Sequence, residues 1–254
     1  MIENERGSAL TPFLSPAGRG ELRARLRRGL RMGPGSMRIL VFFAAFALAA
    51  GLARSQTVEI AASVTDDQGR PVEDAVVVAV PADGGVRAPA RSREGSVDQV
   101  GQEFTPKVTA ILVGTPVRFP NHDNVRHQVY SFSPAKRFEL PLYAGVPADP
   151  VVFDKPGVVV LGCNIHDWMI GYIYVSESPY FAKTGKDGKA VLADLPARVY
   201  TVRVWHPQLD AAEDTTKKTI DATRPGPIAV AWTLKLKREA KVRRAPGAES
   251  RGRY

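Results

Sequence analysis

Hydrophobic positions in this chain recur mostly with a period of two, and in short runs. Residues 58–64 alternate apolar with polar or small side chains, whereas 75–80 form a continuous apolar run. The first pattern predicts a half-buried strand and the second a strand covered on both faces. Between them Thr65-Asp66-Asp67-Gln68-Gly69-Arg70-Pro71 supplies a turn. Residues 81–96 are rich in Gly, Pro, Arg and Ser and read as a loop or linker. Strands are expected next at 107–113, 115–119, 126–132, 137–142, 151–153, 158–161 and 170–175, parted by Gly- and Pro-containing turns. A third section starts near Glu177. It has a turn at 184–189 and strands at 190–195, 199–205 and 227–236; in 199–205, Val199, Thr201, Arg203 and Trp205 alternate against Tyr200, Val202 and Val204. Short, closely spaced strands with turn signals predict an all-β chain built from sandwiches.

At 254 residues the chain has room for one or two domains. Its net charge of +9 suggests a polyanionic partner until the charge is located. Residues 1–53 carry eight Lys/Arg against three Asp/Glu, and 235–254 carry eight against two, while 54–234 carry 19 against 21. The body is close to neutral, so no nucleic-acid groove is expected. The basic residues from 237 to 254 lack an apolar period and read as a disordered, solvated tail.

The leader changes the picture more than the charge does. Met37-Arg38 precedes an apolar run from Ile39 that ends in small residues at Ala53. This is the form of a secretory signal peptide, 37–53, with a core too short for a comfortable membrane span. Residues 1–36 then read as an over-extended N-terminus; the alternative is a cytoplasmic arm on an uncleaved anchor. The expectation is a periplasmic protein with no stable span after cleavage. In an oxidising compartment cysteines normally pair, yet this chain has one, Cys163. A lone exported thiol is buried and inert, a liability, or a metal ligand.

The neighbours of Cys163 favour the third option. Leu161-Gly162-Cys163-Asn164-Ile165-His166-Asp167-Trp168-Met169 contains Cys-x2-His-x2-Met between two expected strands. A thiolate, two imidazoles and a weak axial thioether are what a type 1 (blue) copper ion takes. The second imidazole is assigned to His127, at the start of a strand. Its rival His122 lies inside a Pro-Asn-His-Asp-Asn turn and reads as a solvated loop residue. The expected metal ligands are therefore His127, Cys163, His166 and Met169, around one copper. His206 reads as structural, Trp168 as packing over the loop, and Tyr130, Tyr172 and Tyr174 as sheet-face or core residues.

The loop spacing resembles that of amicyanin-like cupredoxins. Residues 119–133 together with 161–173 resemble a bacterial plastocyanin-like group often labelled methylamine utilisation proteins. The resemblance covers about 97–176. It implies a Greek-key cupredoxin β-sandwich, and a one-electron carrier or copper-binding protein whose ligands match those four positions. Two positions depart from the common pattern. Gln128 stands where many relatives have Asn after the first His, and Asp167-Trp168 follow His166 where many have Pro.

Residues 64–77 and 184–204 resemble the early and late strands of carboxypeptidase-regulatory-like sandwiches. One expectation is a small Ig-like or transthyretin-like sandwich, 57–96 and 177–236, split around a cupredoxin at 97–176. The other is that 57–96 adds strands to the cupredoxin and 177–236 stands alone. Contacts between 72–80 and 199–205 distinguish them.

The functional expectation is single-electron transfer between periplasmic redox proteins by a monomer. The alternative is copper handling as a chaperone, store or sensor without rapid electron transfer. A vestigial site in a structural sandwich is a third class. No enzyme is expected: four histidines are too few for a multicopper oxidase, one cysteine too few for a binuclear centre, and no hydrolase or phosphate-loop motif is present.

Overall fold

The computed structural model describes residues 57–85, 93–147, 149–224 and 226–238. The leader at 1–53 and the tail from 239 onward lie outside the described residues. Chain order runs β1 (Thr57–Asp66), β2 (Val76–Pro81), β3 (Gly95–Ser96), β4 (Asp98–Val100), β5 (Glu103–Thr105), β6 (Val108–Leu112), β7 (Thr115–Arg118), β8 (His127–Ser133) and β9 (Lys136–Tyr143). It continues with β10 (Val151–Phe153), β11 (Gly157–Gly162), β12 (Ile170–Ser176), β13 (Tyr180–Lys183), β14 (Lys189–Pro196), β15 (Arg198–Trp205), β16 (Lys218–Ala222) and β17 (Pro227–Leu234). A single 3-10 turn, Glu213–Thr216, is the only helical element among the described residues. The protein is all-β.

Strands from the two ends of the described chain build one pair of sheets. β1 lies between β14 and β17, antiparallel to the first and parallel to the second. The other sheet runs β13-β2-β15-β16. β2 pairs antiparallel with β15 from Tyr200↔Pro81 to Trp205↔Val76, so 72–80 and 199–205 are in contact. Alternation decides the facing. Val58, Ile60, Ala62 and Val64 of β1, and Tyr200, Val202 and Val204 of β15, enter one shared core with Trp232 and Leu234. Asp66 shapes the first turn by accepting the amides of Gln68 (2.9 Å) and Arg70 (2.8 Å).

The central residues form a second pair of sheets. The larger has the order β6-β12-β11-β8-β9 and the smaller β10-β7-β3, with the β4–β5 hairpin beside them. Their core includes Val97, Phe104, Val117, Phe119, Val129, Phe153, Val159, Leu161 and Ile173. Burial of each such large apolar side chain is worth about 1.5–3 kcal/mol.

A third, smaller apolar cluster joins the sandwiches. Val76 and Val78 of β2 meet Val108 of β6 and Tyr174 of β12, with Trp205, Tyr172 and Phe181 packed around them. That explains the continuous apolar run of β2, which has a core on each face. Arg203 crosses the same junction. It donates from Nε to Glu213 (2.6 Å), from Nη2 to Glu177 (2.7 Å), and to the Tyr174 hydroxyl (3.2 Å).

Several short elements differ from the expected pattern. Residues 81–96 end in β3, which pairs in parallel with β7 rather than remaining a loop throughout. The β4–β5 hairpin and β16 were also not expected as strands. Lys237, placed by its charge at the start of the tail, donates its amide to the Gln208 carbonyl at 2.7 Å. No helix among the described residues is long and apolar enough to cross a membrane.

Candidate metal centre

Two loops at one end of the central sandwich carry the candidate ligands. The first runs from Asn121 to His127. Asn121 is buried, and its Nδ2 donates to the carbonyls of Val125 (2.9 Å) and Tyr143 (3.0 Å). Its Oδ1 accepts the Asp123 amide at 2.9 Å. These bonds fold the loop back on β9 and deliver His127 to the first position of β8, opposite Tyr143. The imidazole of His127 is fully buried.

The second loop is the connection between β11 and β12. These strands pair up to Gly162↔Ile170, so residues 163–169 form a loop clamped at both ends by sheet. Within it the Met169 amide donates to the His166 carbonyl at 2.9 Å. Aromatic rings press on the glycine at either side. A Cβ on Gly162 would lie 2.7 Å from the Tyr130 ring, and one on Gly171 would lie 2.8 Å from the Cβ of Phe104. The loop thus descends onto the core with no slack in its anchors.

The two loops bring His127, Cys163 and His166 together. One ligand atom from each lies within 4.8 Å of the others. The imidazoles approach edge to face, with ring centroids 5.0 Å apart. Cys163 is 4% exposed. Met169 is 1% exposed, shares the core cluster of Cys163, and lines with it a surface recess of about 480 Å³. His122 is not in the cluster; it is more than half exposed and its Nε2 lies 3.5 Å from Asp98. His206 is also elsewhere, its Nδ1 accepting the Gln208 amide at 3.2 Å.

The donor set fits a soft, nitrogen- and sulfur-binding ion. Nδ1 of His127 and Nδ1 of His166 are both buried and have no hydrogen-bond partner. An unsatisfied buried polar atom costs roughly 1–3 kcal/mol. Two such nitrogens beside a buried thiol are explained by an ion that takes all three. Burial, then the nearby His127, lower the pKa of His166, although Asp123 opposes this. The neutral imidazole that a metal requires is therefore favoured at neutral pH.

Three contacts support the ligands; the packing of Trp168 over the loop was expected from the sequence, and the other two were not. Asp123 Oδ2 lies 2.8 Å from Nε2 of His127. Burial acts to raise the Asp123 pKa, but amides of Gln102 and Gly101 together with His127 outweigh it and hold the carboxyl below its ordinary value. Asn164 in the ligand loop donates to Gln128 Oε1 at 2.8 Å, and Gln128 donates to Glu139 Oε1 at 2.5 Å. Gln128 therefore ties β8 to the ligand loop through a side-chain chain. Trp168 stacks obliquely on His166, centroids 5.1 Å apart, and its Nε1 is buried without a partner. An Asp four residues before a His was the one sequence signal available for the first contact.

The arrangement is a buried His2Cys cluster with a buried Met beside it, in an all-β sandwich. No family profile and no curated protein matches the chain. Among solved structures, the chain is similar over 38% of its length to a Cu-containing nitrite reductase from Thermus scotoductus SA-01, at 32% identity and TM-score 0.32. It spans only 25% of that enzyme. A purple cupredoxin from Nitrosopumilus maritimus is 26% identical over 33% of this chain and all of its own, with TM-score 0.29. A Cu(I) amicyanin mutant is 19% identical over 39% of this chain and 98% of its own, with TM-score 0.30.

Proposed function

We propose that the chain is an exported type 1 copper protein that carries single electrons between redox partners. The observation that carries this reading is the convergence of two buried, unpartnered imidazole nitrogens on a buried lone cysteine. His127, Cys163 and His166 would hold the ion, with Met169 as the weak axial ligand. Copper bound there supplies a one-electron couple.

The chain's own residues supply the rest. β11 and β12 fix Cys163 and Met169, and the Asn121 bonds fix His127, so the donors are placed before an ion arrives. Core packing around Cys163 and Met169 keeps water from the sulfurs. His166 is the partly exposed ligand and so the natural edge for exchange with a partner. The periplasm, and a monomer meeting unidentified donor and acceptor proteins, belong to this same proposal. So does the domain organisation: pairing of β2 with β15 supports one flanking sandwich, 57–96 and 177–236, interrupted by a copper domain at 97–176.

The test is an optical titration of the chain from Arg54 onward with Cu(II), repeated with Cys163→Ser. An intense visible thiolate-to-copper band that is absent from the variant is expected. A colourless complex in the unmutated chain would overturn the electron-carrier reading and favour copper handling. Failure to bind at all would leave a structural sandwich.

A further inference from the structure

Asp123 is held from three directions. Its Oδ1 accepts the Gly101 amide at 2.6 Å, and its Oδ2 accepts the Gln102 amide at 2.8 Å and faces His127 Nε2 at 2.8 Å. Gly101 and Gln102 are the two turn residues of the β4–β5 hairpin, and both have positive φ, 62° and 61°. That conformation aims two successive N–H groups at one point, which makes a seat for an anion. The amide of Asp123 itself is bonded to Asn121. Rotating the carboxylate away would leave both hairpin amides without this acceptor.

The chemistry of the contact follows. An ionised carboxylate only accepts hydrogen bonds, so the nitrogen facing it must carry the proton. A neutral imidazole has one N–H, which leaves the other nitrogen as a bare lone pair. In His127 that other nitrogen is Nδ1, the buried unpartnered atom on the side of the ring away from Asp123. Carboxylate–histidine–metal chains work this way generally, fixing tautomer and ring orientation and raising ligand basicity.

We propose that Asp123, seated in the Gly101–Gln102 turn, is a positioning residue of the metal centre. It holds His127 as the Nε2–H tautomer, presents Nδ1 to the ion, and adds a second fixed negative charge to that of the Cys163 thiolate. The proposal rests on the metal-binding reading given above. A fixed negative charge stabilises the more highly charged oxidation state more strongly. Asp123 thus biases the centre toward Cu(II).

The test has a metal-free arm and a copper arm. In metal-free protein with 15N-labelled histidine, long-range proton–nitrogen spectra recorded at a pH where the imidazole is neutral should show His127 protonated at Nε2 and bare at Nδ1. The opposite tautomer, or an even mixture, would overturn the proposal without reference to any metal. In the copper arm, Asp123→Asn should lower the ratio of Cu(II) to Cu(I) affinity at least tenfold, a rise in potential of about 59 mV per tenfold for one electron. Asp123→Glu, which keeps the charge, should recover part of that ratio. A lower melting temperature with an unchanged affinity ratio would mean that Asp123 only braces the hairpin, and would also overturn it. If Asp123→Asn does not fold, the tautomer measured in the unmutated chain still decides. A protein with the expected tautomer that binds no copper would sink the proposed function while leaving the orienting contact intact.

Discussion

At the scale of single residues, the two glycines flanking the ligand loop look equivalent in sequence but are not equivalent in space. A Cβ at Gly162 would meet the outer ring atoms and hydroxyl of Tyr130, the far end of a side chain on the open face of its sheet. A Cβ at Gly171 would meet the Cβ of Phe104 at 2.8 Å, and that atom cannot move without its backbone. Gly171→Ala should therefore cost about 1–3 kcal/mol, the usual range for overpacking, and Gly162→Ala less. Urea unfolding of the two variants measures the difference; the reverse order would show that Tyr130 is the more rigid wall. The same scale explains what was legible in the site. Cys163, His166 and Met169 declare themselves because they share one short loop. His127 could be chosen over His122 because it opens a strand. Asp123 is an ordinary polar residue in sequence, and Gln128 stands out only as a departure from the Asn common at its position. Their roles depend on a hairpin and on Asn164 across the sheet, which local pattern does not record.

At the scale of elements, the longer strands were legible and the short ones were not. β1 alternates burial almost residue by residue, and β15 buries Tyr200, Val202 and Val204 as its sequence implied. β3 has two residues, β4 and β5 three each, and β16 is mostly polar, too little pattern for a period of two to register. The β1 turn carries a pH prediction. Burial acts to raise the pKa of Asp66, but the Arg70 and Gln68 bonds outweigh it, and the folded value falls below the ordinary one. Asp66 thus stabilises the fold fully above its unfolded pKa of about 3.9, and this contribution is lost as pH falls through the lower folded value. Asp66→Asn should be less stable than the parent at pH 6, and the two should converge toward pH 2. Urea midpoints across that range decide it; a gap independent of pH would mean that the turn depends on side-chain shape rather than charge.

At the scale of the whole molecule, the question is whether the two sandwiches unfold together. Each has its own core, and the junction cluster between them is smaller, centred on Val76, Val78, Val108 and Tyr174. β2 belongs to both the flanking core and the junction, so the flanking sheet cannot open without stripping apolar cover from β6 and β12. Arg203 adds a polar clasp at 13% exposure, bonded to Glu177, Glu213 and Tyr174. Removing it leaves two carboxylates without their shared cation. Breaking a buried ion pair costs about 3–5 kcal/mol, and the partial hydration of Glu177, 37% exposed, brings the expectation to the lower end. We expect one calorimetric transition for the parent chain, at a lower temperature for Arg203→Met. On the proposed function copper provides the sharper probe, because a ligand stabilises whatever unfolds with its site. If the junction couples the sandwiches, copper should move the whole of a single transition upward. In Val78→Asp, which places a charge in the junction, the endotherm should divide, and copper should move only the part belonging to the central sandwich. A parent endotherm that already divides on adding copper would mean that the junction is contact without cooperativity.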